Sequence, residues 1–368
     1  MYAKGLAALV VLVPTLLATS VSAHKNQPTQ HFAMGDLKLE SGEVIEDNVQ
    51  SFVTHGTLND DKSNVILVVP SVAGDHHRVD FLIGEGKALD PTKYFIVATD
   101  TFGNGALGMR SPSNSETQPG LKFPKFTVRD MVESQRRLLV EKFGINHVVA
   151  VVGASMGGMQ ALQWGVSYPD FMDSLVAIAA TPRTAAWTVA LHEATRKALM
   201  ADSAWNDGNY TEQPLKGWRA WGDIIWLAVV APDGMNGSYP DALDVIPAME
   251  KYEEFWIEEK WDANDWILRT WAYDRHNIGD TPGRGFDGDH IKALAEIKAK
   301  TLLMSAPLDL YNPVELAHES AKYIPGATFV EIPTNNGHRS GKPADVDFQN
   351  RHIKWFLDLV TEQEKKLP

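Results

Sequence analysis

Short, predominantly apolar runs recur along the chain, bounded by turn residues and alternating with longer helical patterns. Runs at 64–70, 94–99, 147–153, 174–179, 301–305 and 328–332 predict strands. They are mostly apolar rather than alternating, which points to strands covered on both faces, as in a mostly parallel sheet. Between them, 126–143 gathers Val128, Met131, Val132, Leu138, Leu139 and Phe143 on one side and Asp130, Glu133, Arg136 and Arg137 on the other, predicting an amphipathic helix. Two more polar segments within 36–54 predict an antiparallel edge hairpin turning at Ser41-Gly42. The alternation as a whole predicts an α/β architecture.

The pattern breaks between 183 and 290. Strand-like runs stop there, and nine of the 11 tryptophans accumulate: Trp187, Trp205, Trp218, Trp221, Trp226, Trp256, Trp261, Trp266 and Trp271. A helical insertion packed on the core through aromatic rings accounts for this, and some of those rings would line an apolar pocket beneath it. The expected organisation is therefore a first core part at 24–182, a cap at 183–290 and a second core part at 291–368. The first 23 residues read as a leader: Lys4 precedes the apolar run from Gly5 to Leu17, and Val21-Ser22-Ala23 offers small residues for cleavage. Export to a secreted or periplasmic location is the expectation, with cleavage after Ala23 and no stable membrane insertion afterwards.

Charge and composition narrow the chemistry. With 34 Lys and Arg against 47 Asp and Glu the formal charge is −13, and no basic run of five residues occurs, so nucleic acid is not an expected partner. Cysteine is absent, which removes disulfides, thiolate ligands and a cysteine nucleophile. No glycine fingerprint for nucleotides or phosphates follows a strand, and the adjacent His76-His77 lacks companions at metal-ligand spacing, so neither cofactor nor metal is expected.

One motif carries a reaction. The apolar run ending at Gly153 leads straight into Ala154-Ser155-Met156-Gly157-Gly158 and then a helical pattern. A strand-to-helix turn this tight needs small residues flanking the serine, and it lifts the hydroxyl clear of the sheet; this is the nucleophile elbow of an α/β-hydrolase fold. That fold then demands an acid after a later strand and a histidine after the last. Asp309 follows the run at 301–305, and His338 follows the run at 328–332. Ser155 would attack an acyl carbonyl, His338 would accept and return its proton, and Asp309 would fix the imidazole tautomer. The amide of Met156 and that of Val72, in the loop after 64–70, would stabilise the oxyanion. Asp309 as the cap of a helix beginning near Asn312-Pro313 and His338 as a surface-loop histidine are the structural alternatives. Tyr168, Trp187 and Arg219 are candidate pocket residues with equally plain structural roles.

At these residues the chain resembles the homoserine O-acetyltransferase family. The elbow stretch GASMGGMQALQW, from Gly153 to Trp164, looks like that family's own, and HGTLN at 55–59, AGDHH at 73–77, FPKFTVRDMVESQ at 123–135 and DSAWNDGNY at 202–210 extend the likeness. The resemblance implies the same triad and oxyanion pair, and suggests a homodimer through the cap. It also marks departures. Arg339 stands where family transferases carry an aspartate for the substrate ammonium, Gly222 where an arginine would hold the substrate carboxylate, and Pro70 where a histidine is usual. The expected function is therefore hydrolysis of a small-molecule acyl ester, with acyl transfer to a small alcohol as the first alternative and a non-catalytic binding protein as the second.

Overall fold

A computed structural model describes residues 27–364; the predicted leader lies outside them. Eight strands, β1 (Gln30–Lys38), β2 (Val44–His55), β3 (Val65–Val69), β4 (Phe95–Thr99), β5 (Val148–Ala154), β6 (Met172–Ile178), β7 (Lys300–Ser305) and β8 (Thr328–Glu331), form one sheet in the order β1-β2-β4-β3-β5-β6-β7-β8. β2 runs antiparallel to both β1 and β4, and the pairs from β4 through β8 are parallel. The six predicted strands and the edge hairpin are all present, and the chain has the α/β-hydrolase architecture expected of it. Alternate residues of the central strands feed two separate cores. Val65, Leu67 and Val69 of β3 with Val97 of β4 pack on one face, while Ile66, Val68, Ile96 and Ala98 pack on the other. Burial on both faces is why these strands read as continuous apolar runs.

Helices α1 (Val128–Arg137) and α2 (Met156–Ser167) join the first strands. α1 opens with a reciprocal cap: the Thr127 hydroxyl accepts from the Asp130 amide, and the Asp130 carboxylate accepts from the Thr127 amide. It continues as a π-helical turn over Leu138–Lys142, which the simple 3.6-residue pattern does not anticipate. Between β6 and β7 the described residues form helices and turns without a strand: α3 (Ala186–Ala201), α4 (Leu215–Val229), α5 (Pro232–Ser238), α6 (Val245–Glu258), α7 (Ala263–Asp274) and α8 (His290–Ala295). α9 (Val314–Tyr323) and α10 (Pro343–Glu364) complete the core.

The tryptophans hold this helical layer together. Trp221 meets Trp218, Trp256 and Trp266 edge-on at 5.0, 5.2 and 4.9 Å between ring centres, an arrangement favoured by the ring quadrupoles. The same apolar cluster takes in Phe102, Phe126, Val72 and Met156, so the aromatic layer rests directly on the loops beside Ser155.

Burial also isolates a histidine. His276 is 3% exposed, and neither ring nitrogen has a hydrogen-bond partner among the described residues. Its surroundings, chiefly burial and secondarily Arg129, push its pKa from 6.5 down to about 3. As pH falls below 6.5 the unfolded chain takes up a proton that the folded chain refuses until about 3, so this group withdraws stability across that window. The urea midpoint should therefore fall from pH 7 to pH 4.5, and His276→Gln, which cannot titrate, should flatten that slope.

Candidate active site

β5 passes into α2 through Ser155 alone. Its backbone stands at φ 58°, ψ −123°, a conformation uncommon for any residue with a side chain. The turn is held by the Ser155 amide donating to the Ile178 carbonyl of β6 at 2.8 Å. It also depends on backbone contact: a Cβ on Gly153 would lie 2.3 Å from the Gly157 carbonyl, and one on Gly157 would lie 2.4 Å from the Val69 carbonyl. Only glycine allows β3, β5 and α2 to approach so closely.

The three predicted residues meet. Ser155 Oγ lies 3.0 Å from His338 Nε2, and His338 Nδ1 lies 2.7 Å from Asp309 Oδ2. A carboxylate can only accept, so Nδ1 carries the imidazole proton and Nε2 is free to accept from the serine hydroxyl. Asp309 Oδ1 accepts the amides of Tyr311 and Asn312, both at 2.8 Å. Asp309 therefore does not cap α9, whose N-cap is Pro313; one carboxylate oxygen holds the turn before that helix and the other meets the histidine. Parallel pairing of β3 with β5 brings the loop holding Val72 beside the first turn of α2, where Met156 has no intrahelical partner for its amide. Val72 and Met156 are both buried in the aromatic cluster.

Several site neighbours had no signal in the sequence. The Tyr311 ring stacks on His338 at 4.8 Å. Its hydroxyl donates to His192 Nε2 at 2.5 Å, and His192 Nδ1 donates to Asp274 Oδ1 at 2.7 Å. Asp274 Oδ2 is paired with Arg196 at 2.7 Å. Burial lowers the His192 pKa and keeps the ring neutral, as this donor order requires. The Tyr273 hydroxyl donates to Asn312 Oδ1 at 2.7 Å, and Asn312 Nδ2 donates to the Ala179 carbonyl at 2.7 Å. Arg269, fully buried, donates from Nη1 to the Val72 carbonyl and lies over the Trp261 ring. Burial lowers its pKa to about 10.

Other candidates have partners within the protein. Trp187 donates to the Leu310 carbonyl, Tyr168 binds Glu133, and Arg219 pairs with Glu253 and Glu254. His76 and His77 lie with ring centres 4.3 Å apart but bind different carboxylates, Asp100 at 2.9 Å and Asp80 at 2.8 Å.

A family model described as the alpha/beta hydrolase fold matches residues 64–339. The homoserine O-acetyltransferase of Methanosalsum zhilinae is 35% identical over 339 residues, which cover 82% of this chain and 67% of that protein. Among solved structures, an acetylester hydrolase from Corynebacterium glutamicum superposes with a TM-score of 0.82 at 28% identity, covering 90% of this chain and 96% of that one. The homoserine O-acetyltransferase from Bacillus anthracis follows at 0.80 and 25% identity, covering 90% and 97%.

The chain of donors beneath His338 gives a direct test. Tyr311→Phe keeps the stacked ring but leaves His192 Nε2 buried without a partner, which should cost about 1–3 kcal/mol of stability. The denaturation midpoint should drop while fluorophosphonate labelling of Ser155 persists.

Proposed function

The chain belongs to the homoserine O-acetyltransferase-like family of the alpha/beta hydrolase superfamily, and from that premise we propose that it passes a short acyl group through a covalent ester on Ser155. The observation that carries this reading is the hydrogen-bonded line from Ser155 Oγ through His338 to Asp309. Attack of Oγ on an acyl carbonyl forms a C–O bond while its proton moves to His338 Nε2. The oxyanion is met by the Met156 and Val72 amides, collapse expels the alcohol with the proton from His338, and an acceptor activated by the same nitrogen then releases the acyl group.

Two acceptors fit this cycle. The names of the curated relatives favour an amino-acid alcohol, hence O-acyl transfer, over the hydrolysis expected first from the sequence. A specific observation favours water: Arg339 directly follows His338, and a fixed cation there repels the ammonium that such an acceptor would bring. The acetylester hydrolase among the structural neighbours supports water too. So does the predicted leader, since an exported enzyme would not meet cytosolic acetyl-CoA. We take hydrolysis of a short-chain acyl ester as the reaction. A dimer through the cap is part of the same proposal, supported by the exposed Leu227, Leu243, Ile246 and Phe255 in and beside α4 and α6.

The wild-type chain should hydrolyse 4-nitrophenyl acetate, and Ser155→Ala should lower kcat/KM by at least about 10³-fold. Acetylation of homoserine from acetyl-CoA without ester hydrolysis would establish the transferase instead. Failure of a fluorophosphonate probe to label the wild type would favour a binding protein on this fold.

A further inference from the structure

A guanidinium without an ion-pair partner among the described residues is joined to the loop that bears Val72. Arg269, on α7, is wholly buried. Its Nη1 donates to the Val72 carbonyl, while Nε and Nη2 have no hydrogen-bond partner among the described residues. The Trp261 ring covers the group, with its centre 4.7 Å from the guanidinium carbon. Gly103, in the loop after β4, approaches so closely that a Cβ there would lie 3.0 Å from Nε. Three carboxylates act on the cation through space, and each is engaged elsewhere. Asp265 accepts the Ser113 amide and hydroxyl at 2.9 and 2.7 Å. Asp100 accepts the amide and ring of His76, both at 2.9 Å, and Asp75 accepts the His77 amide at 2.8 Å.

A buried charge without a counter-ion is expensive, and an apolar side chain of similar volume often serves the fold as well or better. The fold alone therefore gives no reason for an arginine at 269. The loop does. At its start the Pro70 carbonyl accepts from Gln160 of α2 at 2.9 Å, and further on Asp100 holds His76. Between those anchors, Val72 is held by Arg269. Burial lowers the Arg269 pKa to about 10, which leaves the group cationic at neutral pH. Its bond to the Val72 carbonyl is thus charge-assisted, stronger than a neutral donor would make. Such precision matters here, because an oxyanion donor acts only at hydrogen-bond distance from the developing charge, and a misplacement of about 1 Å can cost on the order of 100-fold in rate.

We propose that Arg269 is a positioning residue for the oxyanion site: it fixes the Val72 backbone from α7, so that the Val72 amide meets charge as it develops on the substrate carbonyl oxygen. This rests on the acyl transfer through Ser155 proposed above. Arg269 acts through the loop, not on the reacting atoms.

Two ketones of nearly equal shape test this on the full-length chain. Ser155 adds to benzyl trifluoromethyl ketone: Oγ bonds to the carbonyl carbon, the serine proton passes to His338, and the former carbonyl oxygen becomes an oxyanion. Benzyl methyl ketone occupies the same site as the unreacted carbonyl. In Arg269→Met the inhibition constant of the trifluoromethyl ketone should weaken about tenfold or more, and kcat/KM for 4-nitrophenyl acetate should fall by a similar factor. The methyl ketone should stay within about twofold of the wild type, a split that general damage to the site would not produce. Thermal midpoints control for the fold. Arg269→Lys keeps a cation with a shorter reach, so it should show the same split to a smaller degree, and it carries the test if the methionine variant does not fold. Equal weakening of both ketones, or wild-type affinity for the trifluoromethyl ketone, would overturn the proposal. A wild type that gains no affinity from the trifluoromethyl group and resists a fluorophosphonate would remove the Ser155 reading and this proposal with it, whereas a reactive wild type matched by Arg269→Met removes this proposal alone.

Discussion

At Ser155 the chain turns from strand to helix within one residue, at a φ of 58° that side chains rarely adopt. Such a conformation costs on the order of 1–3 kcal/mol and persists only when its surroundings over-determine it. Here they do: the amide is tied to Ile178 in β6, and Gly153 and Gly157 allow the backbones of β5, α2 and β3 into contact. Relaxing the turn would carry Oγ away from His338 and the first amides of α2 away from Val72. The bond to β6 and the glycine contacts among β3, β5 and α2 thus together hold one strained backbone position.

Much of this was legible in the sequence because its cause is local. The central strands lie between two cores, so both faces must be apolar, and continuous runs such as Val65–Val69 announce themselves. The elbow is legible because it needs particular residue types at fixed spacing, and Asp309 and His338 because the fold fixes their order. The π-helical turn after α1 was not legible, since one additional residue in a turn leaves an amphipathic pattern almost unchanged.

The layer around Ser155, His338 and Asp309 stayed hidden for a different reason. His192, Asp274 and Tyr311 are 82 and 119 residues apart along the bonds that join them, and Arg269 reaches Val72 across 197. No periodicity marks a partner at that separation, and each residue alone is an ordinary helix or loop position. Tyr168, Trp187 and Arg219 show the converse. They are conspicuous types in a suggestive region, yet each is absorbed by a nearby structural partner.

The line from His338 through Tyr311, His192 and Asp274 to Arg196 begins in the core and ends in α3 and α7. The loop bearing His338 is also laced to the insertion by two backbone bonds, from Ala231 to Asn336 and from Arg339 to Val229. The insertion and the core are therefore not interchangeable modules. A chimera that grafts a foreign insertion lacking His192 and Asp274 onto this core would leave Tyr311, the platform of His338, without its buried partners.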